Sequence, residues 1–150
     1  MKLAEALIER SDLQRRISEL EGRLANNARV QEGEKPAEKP QELMKELDEC
    51  IAALEELVRR INHTNGAVSD NGETITDLLA KRECQGRRIN ILRGFLRSAS
   101  ATTSRMGRSE IKILSTVPVA ELQKKLDADA KALRELDTRI QALNWTNELL

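Results

Sequence analysis

Aromatic residues are nearly missing from this sequence of 150 residues, which has one Phe, one Trp and no Tyr. That removes the stacking platforms used to grip bases and the aromatic walls common in small-molecule pockets. A single His excludes most imidazole metal sites, including the di-iron type that needs a Glu-x-x-His pair on each of two helices. Neither sign of charge prevails, with 25 Lys and Arg against 25 Asp and Glu, so the uncompensated basic surface of a dedicated nucleic-acid or anionic-membrane binder is absent. Met1 to Leu20 carries a charge every few residues, and reads neither as a signal peptide nor as a membrane span. A cytoplasmic location is expected. Cys50 and Cys84 fit no Cys-x-x-Cys spacing and read as reduced thiols. No Gly-rich phosphate loop or nucleophile elbow is present, and His63 alone makes no triad. The expectation is no enzyme, no cofactor and no metal.

What the sequence does have is periodicity. Leu, Ile, Val and Phe number 37, enough for a folded chain, and the length suits one helical domain over residues 1–150. Four segments place apolar residues at 3,4 spacing. The first, about Leu3 to Ala25, uses Leu3, Ala6, Leu13, Ile17, Leu20 and Leu24. The second, about Gln41 to His63, places Met44, Leu47, Ile51, Leu54, Val58 and Ile61 on successive a and d positions. The third, about Thr74 to Arg97, uses Ile75, Leu78, Ile89, Leu92 and Leu96, and Thr74 with Asp77 resembles a capping box. The fourth, about Val119 to Leu143, uses Val119, Leu122, Leu126, Leu133, Leu136, Ile140 and Leu143. Gln31 to Pro40 reads as charged loop, and Thr64 to Gly72 as a tight polar turn. Alternating β-branched residues from Ile111 to Val117 favour an extended segment that covers apolar surface or adds a strand to a partner.

The chain repeats itself. A shift of 72 lays Lys2 to Leu24 on Thr74 to Leu96 with eight identities in 23 positions, among them Arg10 with Arg82 and Gly22 with Gly94. A shift of 82 lays the second segment on the fourth and brings Asn62-His63-Thr64-Asn65 onto Asn144-Trp145-Thr146-Asn147. Two duplicated helical hairpins follow, over residues 1–65 and 74–147. The expected fold is all-α, an antiparallel four-helix bundle, with separated hairpins that assemble with other chains as the alternative.

In an up-down-up-down bundle both Asn-x-Thr-Asn motifs fall at one end, with Arg10 and Arg82 about two turns inside it. Arg supplies charge there, and Asn and Thr supply directed hydrogen bonds, so Arg10, Arg82, Asn62, His63, Thr64, Asn144, Trp145 and Thr146 form a candidate site for an anion or small polar ligand. The same residues also have ordinary structural roles. Asn ends helices, Thr bonds to nearby backbone, and Arg pairs with a neighbouring carboxylate, for which Glu55, Glu56, Glu135 and Asp137 stand at suitable levels. Trp145 reads as a packing group at the bundle end. Self-association into a homo-oligomer is suggested by Ile91, Gly94 and Phe95, which lie off the apolar seam of the third segment.

The run Met1-Lys2-Leu3-Ala4-Glu5-Ala6-Leu7-Ile8-Glu9-Arg10, with Leu13-Gln14-Arg15-Arg16-Ile17, Ile61-Asn62-His63-Thr64-Asn65 and Leu143-Asn144-Trp145-Thr146, resembles a family of small bacterial helical proteins labelled septicolysin. The resemblance spans essentially the whole chain and implies a helical protein without an established activity. Its label points to cholesterol-dependent pore-forming toxins, which are several times longer, rich in β-structure and equipped with a Trp-rich motif. Three functions stand beside one another: a cytoplasmic helical scaffold or interaction module that self-associates, a small-ligand or anion binder at the Asn-x-Thr-Asn end, and the toxin of the label.

Overall fold

A computed structural model describes residues 1–102 and 111–150. The helices are α1, Leu3–Asn26; α2, Pro40–Ala67; α3, Ile75–Ser100; and α4, Val119–Thr146. Two short strands, β1 at Ser69–Asp70 and β2 at Glu73–Thr74, lie between α2 and α3. The chain divides into two compact units, one of Met1–Ile75 with Ala142–Leu150 and one of Thr76–Gln141.

In the first unit α1 and α2 form an antiparallel hairpin. Arg16 on α1 donates twice to Glu46, while Arg23, further along α1, grips both carboxylate oxygens of Glu38, just before α2. Rising numbers on one helix meet falling numbers on the other. The core holds Leu20, Leu43 and Cys50, with Ile17, Leu24 and Leu47 packed against them. Asn27 closes the α1 end: its amide donates to the Arg23 carbonyl at 2.8 Å, and its carbonyl accepts from the Glu38 N–H at 2.9 Å. The charged loop between the helices is therefore tied at its far end. At the start of α1, Glu5 accepts from the Lys2 N–H at 2.7 Å, and Pro40 opens α2, where its missing N–H costs nothing.

The face that α2 buries differs from the expected stripe. Leu43, Cys50, Leu57 and Thr64 are buried together with Ile61, whereas Met44 and Ile51 are 47% and 45% exposed. Two apolar heptads run side by side on this helix, and the seam against α1 follows the one that begins at Leu43. The expected turn at Thr64 to Gly72 is also corrected. Helix α2 continues through Gly66 to Ala67, and the chain reverses in a hairpin pairing Ser69 with Thr74 and Asp70 with Glu73. The sequence contains Asn-Gly twice, and the second, Asn71-Gly72, makes the reversal. Positive φ at both residues, 52° and 82°, is what the two-residue hairpin turn demands.

In the second unit α3 and α4 also run antiparallel. Arg82 donates to Asp137 at 2.8 Å and Arg88 to Asp129 at 2.6 Å; between them, a Cβ at Gly86 would meet the Leu133 side chain at 4.0 Å. Leu78, Ile89 and Leu96 face inward from α3, and Leu126, Ala130, Leu136 and Ile140 from α4. Residues 111–117 form irregular coil and join no strand; Ile111 and Leu114 are largely exposed, while Ile113 and Leu114 line a cleft together with Phe95 of α3. Both cysteines are free.

Candidate functional site

Seven of the eight candidate residues belong to the first unit, where the last residues of the chain dock against the start of α1 and the end of α2. The Leu3 N–H donates to the Asn147 carbonyl at 3.0 Å, and the Leu149 N–H donates to the Met1 carbonyl at 2.9 Å. Lys2 and Glu148 form an isolated antiparallel bridge. The Glu148 carboxylate also takes the Lys2 ammonium at 2.6 Å and the Met1 amino group at 3.0 Å. These two hydrogen bonds, from Lys2 first and the amino group second, hold the Glu148 carboxyl below the ordinary glutamate range.

Thr64 is the inner anchor of this clasp. It is fully buried, donates its hydroxyl to the Arg60 carbonyl at 2.9 Å, and accepts from the Leu150 N–H at 3.0 Å. Arg60, one helical turn earlier, donates to the Leu150 carbonyl at 2.9 Å. A hydroxyl that bonds its own helix and still has a lone pair free can receive a second chain without leaving either group unpaired. The two residues before it, Asn62 and His63, are exposed.

The matching motif on α4 is arranged differently. Asn144 is buried, while Trp145 is 55% exposed, which corrects its expected role as a packing group. The Thr146 hydroxyl donates to the Ala142 carbonyl at 2.9 Å on the outside of its helix. Asn147 finishes the helix, its amide donating to the Leu143 carbonyl at 2.9 Å. Equal spelling thus gives unequal chemistry: one Thr holds a buried tail and the other bonds only locally.

The two arginines also part company. Arg82 lies in the second unit and uses its guanidinium on Asp137, one of the carboxylates expected at that level. Glu56 is taken by Arg59 instead. Arg10 occupies the seam of α1, and its Nε is buried without a hydrogen-bond partner among the described residues. A cleft of about 380 Å³ lies between α3 and α4, lined by Lys81, Gln85, Glu135, Leu136 and Arg139. Among the described residues no cluster of His, Cys, Asp and Glu has the makings of a metal site, and no helix is long and apolar enough to cross a membrane.

The residues that sequence reasoning missed are those of the clasp: Lys2, Arg60, Glu148, Leu149 and Leu150. Only Leu149-Leu150, two apolar residues following a polar run, hinted that the tail docks, and of these Leu149 is the buried one.

No curated protein matches the chain. It is similar to a protein from Corynebacterium diphtheriae, solved as the crystal structure of a functionally unknown conserved protein, with 42% identity over 100% of this chain and 99% of that one, and a TM-score of 0.93. A family model described as a family of unknown function, DUF6847, matches residues 10–149. The chain belongs to that family.

Proposed function

We propose that this protein is a cytoplasmic, non-catalytic helical scaffold that associates with itself through surfaces outside its hairpin seams. Its two hairpins are taken as duplicated units that close as an antiparallel four-helix bundle. The observation that carries the reading is exposed apolar surface on ordered helices: Ile91 is 71% exposed, beside Phe95 on α3 and with Met44 and Ile51 on α2. Single apolar residues on a surface are ordinary, but pairs on one helical face mark contact surfaces. Light scattering over a range of micromolar concentrations tests the reading, and a strictly monomeric mass rejects it.

One observation favours a second reading, an anion or small polar ligand held at the Asn-x-Thr-Asn end. The buried, unpartnered Nε of Arg10 is a donor without an acceptor, and leaving such a group unpaired costs about 1–3 kcal/mol. Thermal-shift measurements with phosphate and sulfate on wild type, Arg10→Ala and Arg82→Ala test this. Stabilisation of wild type that Arg10→Ala abolishes supports it, and equal shifts in all three proteins reject it. The pore-forming toxin implied by the septicolysin label ranks third, because those toxins are rich in β-structure, whereas the strands named among the described residues are the two-residue pair Ser69–Asp70 and Glu73–Thr74. Leakage from cholesterol-containing liposomes is its direct test.

A further inference from the structure

Arg10 and Arg82 correspond under the shift of 72 residues, yet only one of them is paired. Arg82 donates to Asp137 at 2.8 Å. Under the shift of 82, Asp137 corresponds to Glu55 of α2, which is exposed and makes no ion pair with Arg10. No neighbour on its own helix serves Arg10 either. The residues three and four positions away are Ala6, Leu7, Leu13 and Gln14, whereas Arg15, Arg59 and Arg87 each find a carboxylate at that spacing. A helical side chain leans toward the N-terminus, over the residue four before it, which is Ala6 for Arg10 and Leu78 for Arg82. Both are fully buried, and the smaller Ala leaves the Arg10 stem room to settle into the seam, which accounts for its buried Nε.

A guanidinium so placed discriminates among anions. Its Nε–H and the neighbouring Nη2–H form a planar fork that matches the two oxygens of a carboxylate. Arg16, Arg23 and Arg59 each bring Nε and Nη2 together onto one carboxylate. Ala6 and Leu13 flank Arg10 on its seam, so an ion seated there gives up water to apolar neighbours, and that cost rises with the charge of the ion. A singly charged, planar group is favoured over a tetrahedral, doubly charged one. We propose that the ligand of Arg10 is a small carboxylate, which gives this arginine the group that Asp137 gives Arg82. This rests on the second reading above, an anion held at this end of the first unit, and adds its chemical class.

The test follows the melting temperature of the full chain by scanning fluorimetry with sodium acetate, phosphate and sulfate at matched ionic strength. For a dissociation constant of about 1 mM, about 20 mM acetate should raise the melting temperature by about 5 °C. Arg10→Ala and Arg10→Lys should both lose this shift, since an ammonium keeps the charge but not the fork. Arg15→Ala, which removes an exposed guanidinium from the same helix, should keep it. An acetate shift that persists in Arg10→Ala or Arg10→Lys overturns the proposal. An Arg10-dependent shift with phosphate or sulfate alone overturns the carboxylate assignment and leaves the anion reading standing. No Arg10-dependent shift with any of the three overturns both.

Discussion

Replacing Thr64 by Val separates the tail clasp from ordinary helix packing. Val keeps the shape of Thr, so no cavity opens at this fully buried position, and only the hydroxyl is lost. The Arg60 carbonyl still belongs to a helix, and the group that suffers is the Leu150 N–H, which loses its acceptor at 3.0 Å. A hydrogen bond contributes about 1 kcal/mol net, and an orphaned buried donor costs about 1–3 kcal/mol. Leu150 is 52% exposed, so its N–H has water within reach after a small shift. The expected loss is therefore at the low end, about 1–2 kcal/mol, or about 3–6 °C in melting temperature for a chain of this size. Urea titration measures the loss, and hydrogen exchange locates it, with the Leu149 and Leu150 amides losing protection before the α1–α2 core. Thr146→Val is the matched control. Its hydroxyl occupies the same place in the repeated motif but bonds only locally, to the Ala142 and Leu143 carbonyls and from the Asn147 amide, on an exposed helix face, so its effect should stay within about 0.5 kcal/mol. Equal effects of the two substitutions, or no measurable loss in Thr64→Val, would refute the assignment of Thr64 as the anchor.

Gly22 lies inside α1 with open space where a Cβ would stand, so Gly22→Ala should stabilise the protein by about 0.5–1 kcal/mol in urea titration. The Glu148 carboxyl titrates below its unfolded value, so its contribution is present above the ordinary glutamate pKa and is lost as pH falls through the lower folded value. Glu148→Gln should therefore lower the urea midpoint near neutral pH, and the difference from wild type should shrink as pH falls through the lowered folded-state value. Arg23→Lys should loosen the end of the α1–α2 hairpin, because an ammonium cannot grip both oxygens of Glu38. Proteolysis of the loop at residues 28–39 should speed up as a result, and unchanged cleavage would contradict the role given to this pair.

Much of the helical pattern was legible in the sequence. The stripes expected for α1, α3 and α4 place Leu3, Leu20, Ile75, Leu78, Leu126 and Ile140 in the interior, where they are found. The α2 stripe was misread for a definite reason. Its two parallel heptads both contain strong apolar residues, and Met44 and Ile51 outrank Cys50 and Thr64 in hydrophobicity. What selects between them is the position of α1 and of the tail, neither of which local periodicity contains. The same limit explains the reversal after α2. Asn65-Gly66 and Asn71-Gly72 are identical as dipeptides, but the first stays within α2 and the flanks of the second pair across a hairpin. For the candidate site, the ion pair of Arg82 with Asp137 follows from helix levels, whereas the clasp does not. It joins residues almost a full chain apart, where spacing carries no signal.

That separation sets a schedule for the molecule in synthesis. The first unit is written in two separate stretches, since residues 142–150 complete a body whose other parts end at Ile75. With elongation at about 5–20 residues per second, the 66 intervening residues take about 3–13 seconds to appear. During that interval the Leu3 N–H and the second lone pair of Thr64 have only water or another molecule to bond. The nascent α1–α2 hairpin waits with an open end that the finished chain seals, and a fragment stopped before Asn147 keeps it open.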